Sequence, residues 1–415
     1  MQMKKAHSSR RRGSVYLYVL ATSILITVIG LGALMASRIQ MRSARLTRDY
    51  AEARTCAVSA VEWGLLCVQQ DPNWRQTRPN GIWIQDQPLG SSRFTLEGVD
   101  PGDSQLNDSE YEPLLLTGIG TKGITRHKTE VTLVPVIEPL VVLNTCIHGS
   151  GPVQITTGGV LTVMGAPVST NGQLDNDATL DGDAEAQSVG DMVTVTGTLT
   201  VPAPVKRMPA ASVITTYESK ATTIPYVGTI EKIVLTPACN PWGFADPNGL
   251  YFLNTGGNDL LIRNARIHGT LIIRAIGRTV TLDDAVFLQN YRSDLPTLLV
   301  EGNLHVITHS VEESLSESVN MTNYNPAGAP YEGVYDSDTV DTYPNEIHGL
   351  IHLVGDLTLG QTARVVGTIL CNGTITCAGT NTIVHDPTFY ASPPEGYTSV
   401  ERMMVAPGSW RQVVD

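Results

Sequence analysis

The chain is short of charge, of aromatic rings and of cysteine. Only 16% of its 415 residues are charged, 6% are aromatic, and there are 5 Phe and 6 Cys. So little charge excludes a solvated acidic polymer or a long coiled coil as a description of the whole. Six cysteines in this length exclude a small disulfide-stapled scaffold, and without a Cys-x-x-Cys pair a structural zinc site has no ligand frame. Glycine (38) and proline (24) are plentiful. That combination describes many turns around a core of Val, Ile and Leu.

Basic residues outnumber acids only at one end. Residues 1–54 hold ten Lys or Arg and two acids, Asp49 and Glu52, within a chain whose net charge is -12. The remainder is strongly acidic, which excludes nucleic acid as a partner because phosphate contacts need a basic surface. A basic end beside an apolar run points to a lipid bilayer instead.

Ser14 to Ser37 contains no charged residue. As a helix these residues reach about 36 Å, against a hydrocarbon core of roughly 30 Å. Three readings compete. A secretory signal peptide expects a small-x-small cleavage site after the apolar run, but Met35-Ala36-Ser37 leads straight into Arg38. A plain signal anchor needs nothing more. A pilin-type signal places cleavage before the apolar run, here between Gly13 and Ser14, directly after Arg10-Arg11-Arg12. The tighter N-terminal cluster of Lys and Arg puts that end in the cytoplasm and the rest beyond a single inner-membrane span.

The helical pattern continues past the span. Leu46, Tyr50, Ala53, Ala57, Ala60, Val61, Gly64, Leu65 and Val68 recur at steps of three and four. Asp71-Pro72 should end the helix near Gln70. Stretches at 81–84, 92–97, 114–120 and 125–134 then alternate as antiparallel strands, with Gly118, Gly120 and Gly123 read as turn residues.

This order resembles the minor pilins and minor pseudopilins of type IV pili and type II secretion systems (PilX-type proteins). Arg11-Arg12-Gly13-Ser14, the apolar span, the Ala/Glu-rich helix through Glu62-Trp63-Gly64-Leu65 and the strand–Gly–strand at 114–134 carry the resemblance, which covers residues 1 to about 138. It implies processing at Gly13–Ser14 and other pilin-like subunits as partners. One departure stands out. The family usually has Glu at the fifth mature position, and counting from Ser14 that residue is Tyr18. Its absence removes an assembly handle and fits a minor or capping subunit better than a bulk filament protein.

Beyond Leu140 the texture is Gly-x-Leu/Ile-x-apolar, at Gly159, Gly197, Gly269, Gly302, Gly355, Gly367 and Gly373. Ile-His-Gly recurs at 147, 267 and 347, at multiples of 20 residues. Repeats of this kind predict an all-β parallel β-helix over 140–400, right-handed by analogy, with an antiparallel sandwich as the alternative. The expected fold class is therefore α+β. The expected division is leader 1–13, span 14–37, pilin-like module 38–138, β-helix 140–400 and a C-terminal tail 401–415.

The insert 311–346 carries Tyr324, Tyr331, Tyr335 and Tyr343, read as an interaction surface for a surface polysaccharide or a protein. Asp175, Asp177, Asp181 and Asp183 form the densest acidic cluster and are weak Ca²⁺ candidates, without EF-hand spacing. Asp283-Asp284 is the one adjacent acid pair in a strand-like stretch, but it lacks the His-centred motif and basic clamp of pectin-degrading β-helix enzymes. The reading assigns no catalytic residue and no cofactor. A membrane-anchored carbohydrate-active enzyme is the alternative, followed by a bactofilin-like envelope scaffold suggested by the close repeats at 355–377.

Overall fold

The computed structural model describes residues 12–190, 194–309 and 314–413. The leader up to Arg11 and the insert residues Val311, Glu312 and Glu313 lie outside the described residues. The chain divides into two compact units, one of residues 1–137 with 400–415 and one of residues 138–399.

The first unit is built on one helix, α1 (Arg12–Gln70), which stops one residue before Asp71-Pro72. Every side chain from Val15 to Arg48 is exposed, and this is the one described helix long and apolar enough to cross a membrane. Thr22, Ser23 and Thr27 return their hydroxyls to backbone carbonyls three or four residues back, so they leave no polar group unpaired along the apolar surface. From Ala53 onward one face of the helix is buried. Val61 packs with Leu96, Leu114, Leu116, Val131 and Leu133, Ala60 with Phe94, and Ala53 and Ala57 are buried on the same face.

The sheet residues belong to β2 (Ser92–Val99), β3 (Leu114–Lys122) and β4 (Thr125–Pro139), which with β1 (Gly81–Leu89) form an antiparallel meander in sequence order. Gly118 and Gly120 are not turn residues. They lie within β3, where a Cβ would collide with the carbonyl oxygens of Ala57 and Ala53. Only Gly123, at φ 58°, sits in the β3–β4 turn. Two glycines on one strand face thus let the helix backbone settle directly on the sheet.

Residues 401–415, expected as a tail, instead carry strands of this sheet. Thr398–Val405 and Arg411–Val413 both pair with β4, and Arg411 closes an ion pair with buried Glu130 at 2.8 Å. In chain order the second unit is therefore an insertion between strands of the first.

The second unit is a stack of coils joined by parallel pairing, three short strands to a coil. Apart from the Gly197 repeat, the apolar residues of the repeats point inward. Ile262, Leu282, Val306, Leu359, Cys377 and Ile155 follow one another in register up a single wall, all buried. Each such side chain contributes about 1.5–3 kcal/mol on burial. Leu199 and Val201, the Gly197 repeat, are half-exposed because they lie where the stack ends.

The stacking order differs from the chain order. Residues 147–164, 168–181 and 184–200 form successive coils running to one end. The chain then restarts at 222 and builds coils at 222–235, 250–268, 270–289, 298–308 with 346–348, 350–366 and 368–384. The last of these pairs along all three walls with 147–164, so the first coil formed by the chain sits mid-stack. That closure covers a strand edge that would otherwise stay open. The Ile-His-Gly triplets are not equivalent: Ile147 pairs with Ile369, whereas Ile347 pairs with Val365.

One wall is roofed. The short helix Ser212–Glu218, the turn Val141–Asn144 and the helix Thr388–Ala391 lay Val213, Ile214, Tyr217, Val142, Leu143 and Phe389 over Phe252, Ile272, Leu299 and Leu370. Two histidines lie beneath this roof, His148 and His352, both fully buried. Burial holds each down at about 4. His352 Nδ1 meets the Tyr397 hydroxyl at 3.0 Å, and His148 Nδ1 meets Ser169 Oγ at 3.1 Å.

Candidate functional site

The insert between the 298–308 strand and the 346–353 strand is the largest excursion from the stack. It closes on itself through Leu315–Ser316 pairing antiparallel with Thr342–Tyr343. Its tyrosines do not form the surface expected of them. Tyr324 and Tyr343 are buried and Tyr331 is half-buried, packed edge to face on one another and on Phe287, while Tyr335 alone is 61% exposed. The reason is the apolar surface offered by Val234, Ala285 and Phe287 on the outer side of the stack. The rings cover it and are spent as core.

Arg266 fixes this docking. It is buried on the wall below, stacks 5.3 Å from the Tyr331 ring, and donates to the carbonyls of Tyr324 (2.6 Å), Ala329 (2.7 Å) and Pro330 (2.7 Å). A guanidinium suits this role because its fixed fork can satisfy several carbonyls at once. Nothing in the sequence marks Arg266, since a lone arginine in a strand reads as a solvated one.

Within the insert, Glu317, Asp336 and Asp341 bring carboxylate oxygens within 4.8 Å of one another. Burial, and then the neighbouring Asp336, hold the Asp341 carboxyl above its ordinary range. Burial and Glu317 together raise Tyr343, whose hydroxyl donates to Glu317 Oε1 at 3.1 Å.

The other acidic residues go elsewhere. Asp175, Asp177, Asp181 and Asp183 do not gather as one ligand set. Asp175 accepts from Gln173 on its own strand, whereas Asp181 accepts from the Thr196 hydroxyl and Asp183 from the Thr198 backbone, so two of them tie adjacent turns of the stack. Asp283 and Asp284 lie on the 270–289 strand. Asp284, at φ 52°, accepts from the Asn264 side chain at 3.1 Å, and Asn264 has φ 49° in the neighbouring coil. The two form a corner ladder, and the group at ligand distance there is Asp283, Asp284 and His309. Asp100, Asp103 and Glu112 make a further acidic group in the β2–β3 loop. Arg75 lies beside it, donating to the Leu106 and Glu112 carbonyls, so a fixed cation is already in place.

Cys371 and Cys377 do not face each other. Cys371 pairs with Leu353 and Gly149, and Cys377 with Leu359 and Ile155, on separate walls. Burial pushes both thiols up to about 12, which removes them as nucleophiles. Gly13 and Ser14 fall in the first turn of α1.

No protein-family model matches the sequence, and no curated protein matches it closely. Among solved structures the chain is similar to the competence-associated pilin ComZ from Thermus thermophilus, at 12% identity over 88% of this chain and 98% of that one, with a TM-score of 0.24. It is also similar to an ice-binding protein domain of Shewanella frigidimarina (13% identity, 60% of this chain and 98% of that one, TM-score 0.28). The ice-binding protein LeIBP from an Arctic yeast shows 13% identity over 59% of this chain and 93% of that one, with a TM-score of 0.29. Scores of this size leave the functional reading to the chain's own geometry.

Proposed function

We propose that this chain is a minor pilin- or pseudopilin-like subunit of a type IV pilus or type II secretion-type assembly. In this reading α1 anchors it in the inner membrane, its N-terminus is cytoplasmic, and the inserted coil stack is a periplasmic or extracellular head. The observation that supports it most is the division of labour along α1. One unbroken helix is bare and free of charge from Val15 to Ser37, and then becomes the spine of an antiparallel sheet from Ala53 to Val61. A plain anchor has no need of continuity between the two halves.

The bare half meets lipid, and other pilin-like subunits when assembled. With Tyr18 at the fifth position of a chain starting at Ser14, no carboxylate is available there to pair with a neighbouring N-terminus. The subunit therefore joins or caps an assembly rather than forming its bulk. The head displays a binding surface, for a polysaccharide or a protein, and carries out no catalysis. The test is the mature N-terminus. Expressed in a host with an active prepilin peptidase, the purified chain should begin at Ser14, and at Met1 when the peptidase is inactivated. A chain beginning at Met1 in both hosts would leave an ordinary anchor.

A further inference from the structure

We propose that α1 carries a docking collar for anionic phospholipid headgroups, made by Arg38, Arg42 and Arg45 where the helix leaves the bilayer. The collar rests on the reading of α1 as a membrane span, and it names the lipid chemistry met at the outer end of that span.

Residues 38–48 hold four arginines and no acid, directly after the charge-free run that ends at Ser37. Arg38, Arg42 and Arg45 are spaced four and three apart, which sets them within about 60° of one another around a helix. The helix is unbroken from Arg12 to Gln70, and all three side chains are exposed. Asp49 follows on the same face one turn later and closes the stripe.

Two observations set these arginines apart. The first is that they lack partners. Arg48, the next in line, pairs with Glu52 at 2.9 Å. Elsewhere Arg93 meets Asp86, Arg263 meets Glu231, Arg364 meets Glu346 and Arg411 meets Glu130. Among the described residues no hydrogen bond or ion pair engages Arg38, Arg42 or Arg45.

The second is their height. Beyond the hydrocarbon, a bilayer has about 5–8 Å of headgroup on each side. At 1.5 Å per residue Arg42 stands about 6 Å beyond Arg38, and Arg45 about 10 Å. Side chains on a helix lean toward its N-terminus, which here is toward the membrane. Long arginines therefore reach back, and all three guanidinium groups come level with the phosphates.

The chemistry selects the lipid. A guanidinium forks two N–H groups onto two phosphate oxygens. In a zwitterionic headgroup the lipid's own ammonium competes for that phosphate, and in phosphatidylglycerol nothing does. Arginines on the outer side also run against the ordinary bias, which keeps Lys and Arg in the cytoplasm. An acidic protein surface would satisfy the same groups, but it would have to enter the headgroup layer to reach Arg38.

The experiment reconstitutes the full chain into vesicles of phosphatidylcholine alone and of phosphatidylcholine with phosphatidylglycerol. Flotation reads anchoring, and native mass spectrometry after mild detergent extraction reads the lipids retained. The parent should float with both. From the mixed vesicles it should retain phosphatidylglycerol about tenfold beyond its share of the lipid. The triple variant Arg38→Gln, Arg42→Gln, Arg45→Gln should float equally, keep buried Cys56 protected from alkylation, and lose the preference. Arg278→Gln, at an exposed site of the second unit, should keep it. A parent without the preference, or a triple variant that retains it, overturns the proposal and leaves the span standing. A parent that floats with neither vesicle overturns the proposal and the span together.

Discussion

Gly120→Ala is expected to lift α1 off its sheet. In most strands this substitution is neutral or helpful, because alanine loses less backbone entropy on folding. Gly120 has no left-handed backbone that would forbid a side chain. Its new Cβ would instead meet the Ala53 carbonyl oxygen and the Ala57 backbone nitrogen, neither of which can rotate away. The helix must retreat, opening the contact of Ala53, Ala57 and Val61 with β2 and β3. Overpacking against fixed atoms costs typically 1–3 kcal/mol, and the rigidity of both partners here argues for about 3. Cys56, buried on the same helix against Phe94, reports the change. At about 1.4 kcal/mol per tenfold, its alkylation should quicken about 100-fold. Buried Cys146, Cys371 and Cys377 in the other unit should not respond. Gly32→Ala, with nothing within 4 Å, is the control and should leave Cys56 protected.

Acid should destabilise the coil stack well before its carboxylates titrate. Burial holds the pKa of His148 and of His352 down at about 4, against the ordinary 6.5 of histidine. Above pH 6.5 both are neutral whether folded or unfolded, and they cost nothing. Between pH 6.5 and about 4 the unfolded chain takes up protons that the folded chain refuses, so stability falls as pH falls. Each histidine accounts for about 3 kcal/mol across that window. Glu346, held below its ordinary range first by His348 and then opposed by burial, loses its contribution only at lower pH. Urea unfolding of the second unit, followed at pH 7.5, 6, 5 and 4, should show a steep loss. His148→Leu with His352→Phe should flatten it, whatever those changes do to stability at pH 7.5. An unchanged slope in the double variant would mean that the buried histidines are not its source.

Local features of the chain were legible from the residues because they depend on neighbours close in sequence. The stripe from Ala53 to Val61 follows from helical spacing, and the stop at Gln70 follows from Asp71-Pro72. The inward positions of the coils follow from a two-residue alternation after a glycine. What was hidden depends on distant partners. A repeat tells which side chains point inward but not which coil lies next. Nothing within 147–164 says that its neighbour is 368–384. Gly118 and Gly120 look like turn glycines until Ala53 and Ala57 are placed against them. Residues 401–415 look like a tail because their strands exist only as additions to β4.

The insert shows the same limit. Four tyrosines in a polar loop suggest a surface, and only the apolar patch at Val234, Ala285 and Phe287 turns three of them inward. Arg266 and the Glu317–Asp336–Asp341 group were invisible for the same reason. The three acids are spread over 25 residues and meet only when the insert closes, whereas Asp175, Asp181 and Asp183 are dense in sequence and turn to separate hydrogen-bond partners.

The account turns on α1 being one continuous rod that passes from lipid into the spine of a folded unit. Hydrogen exchange of the full chain in lipid nanodiscs, resolved along residues 14–70, tests this most directly. Slow exchange without interruption through Ser37, and slowest around Ala53 to Val61, is the predicted result. A break near Ser37, with residues 38–70 exchanging at the rate of an unstructured chain, would contradict it.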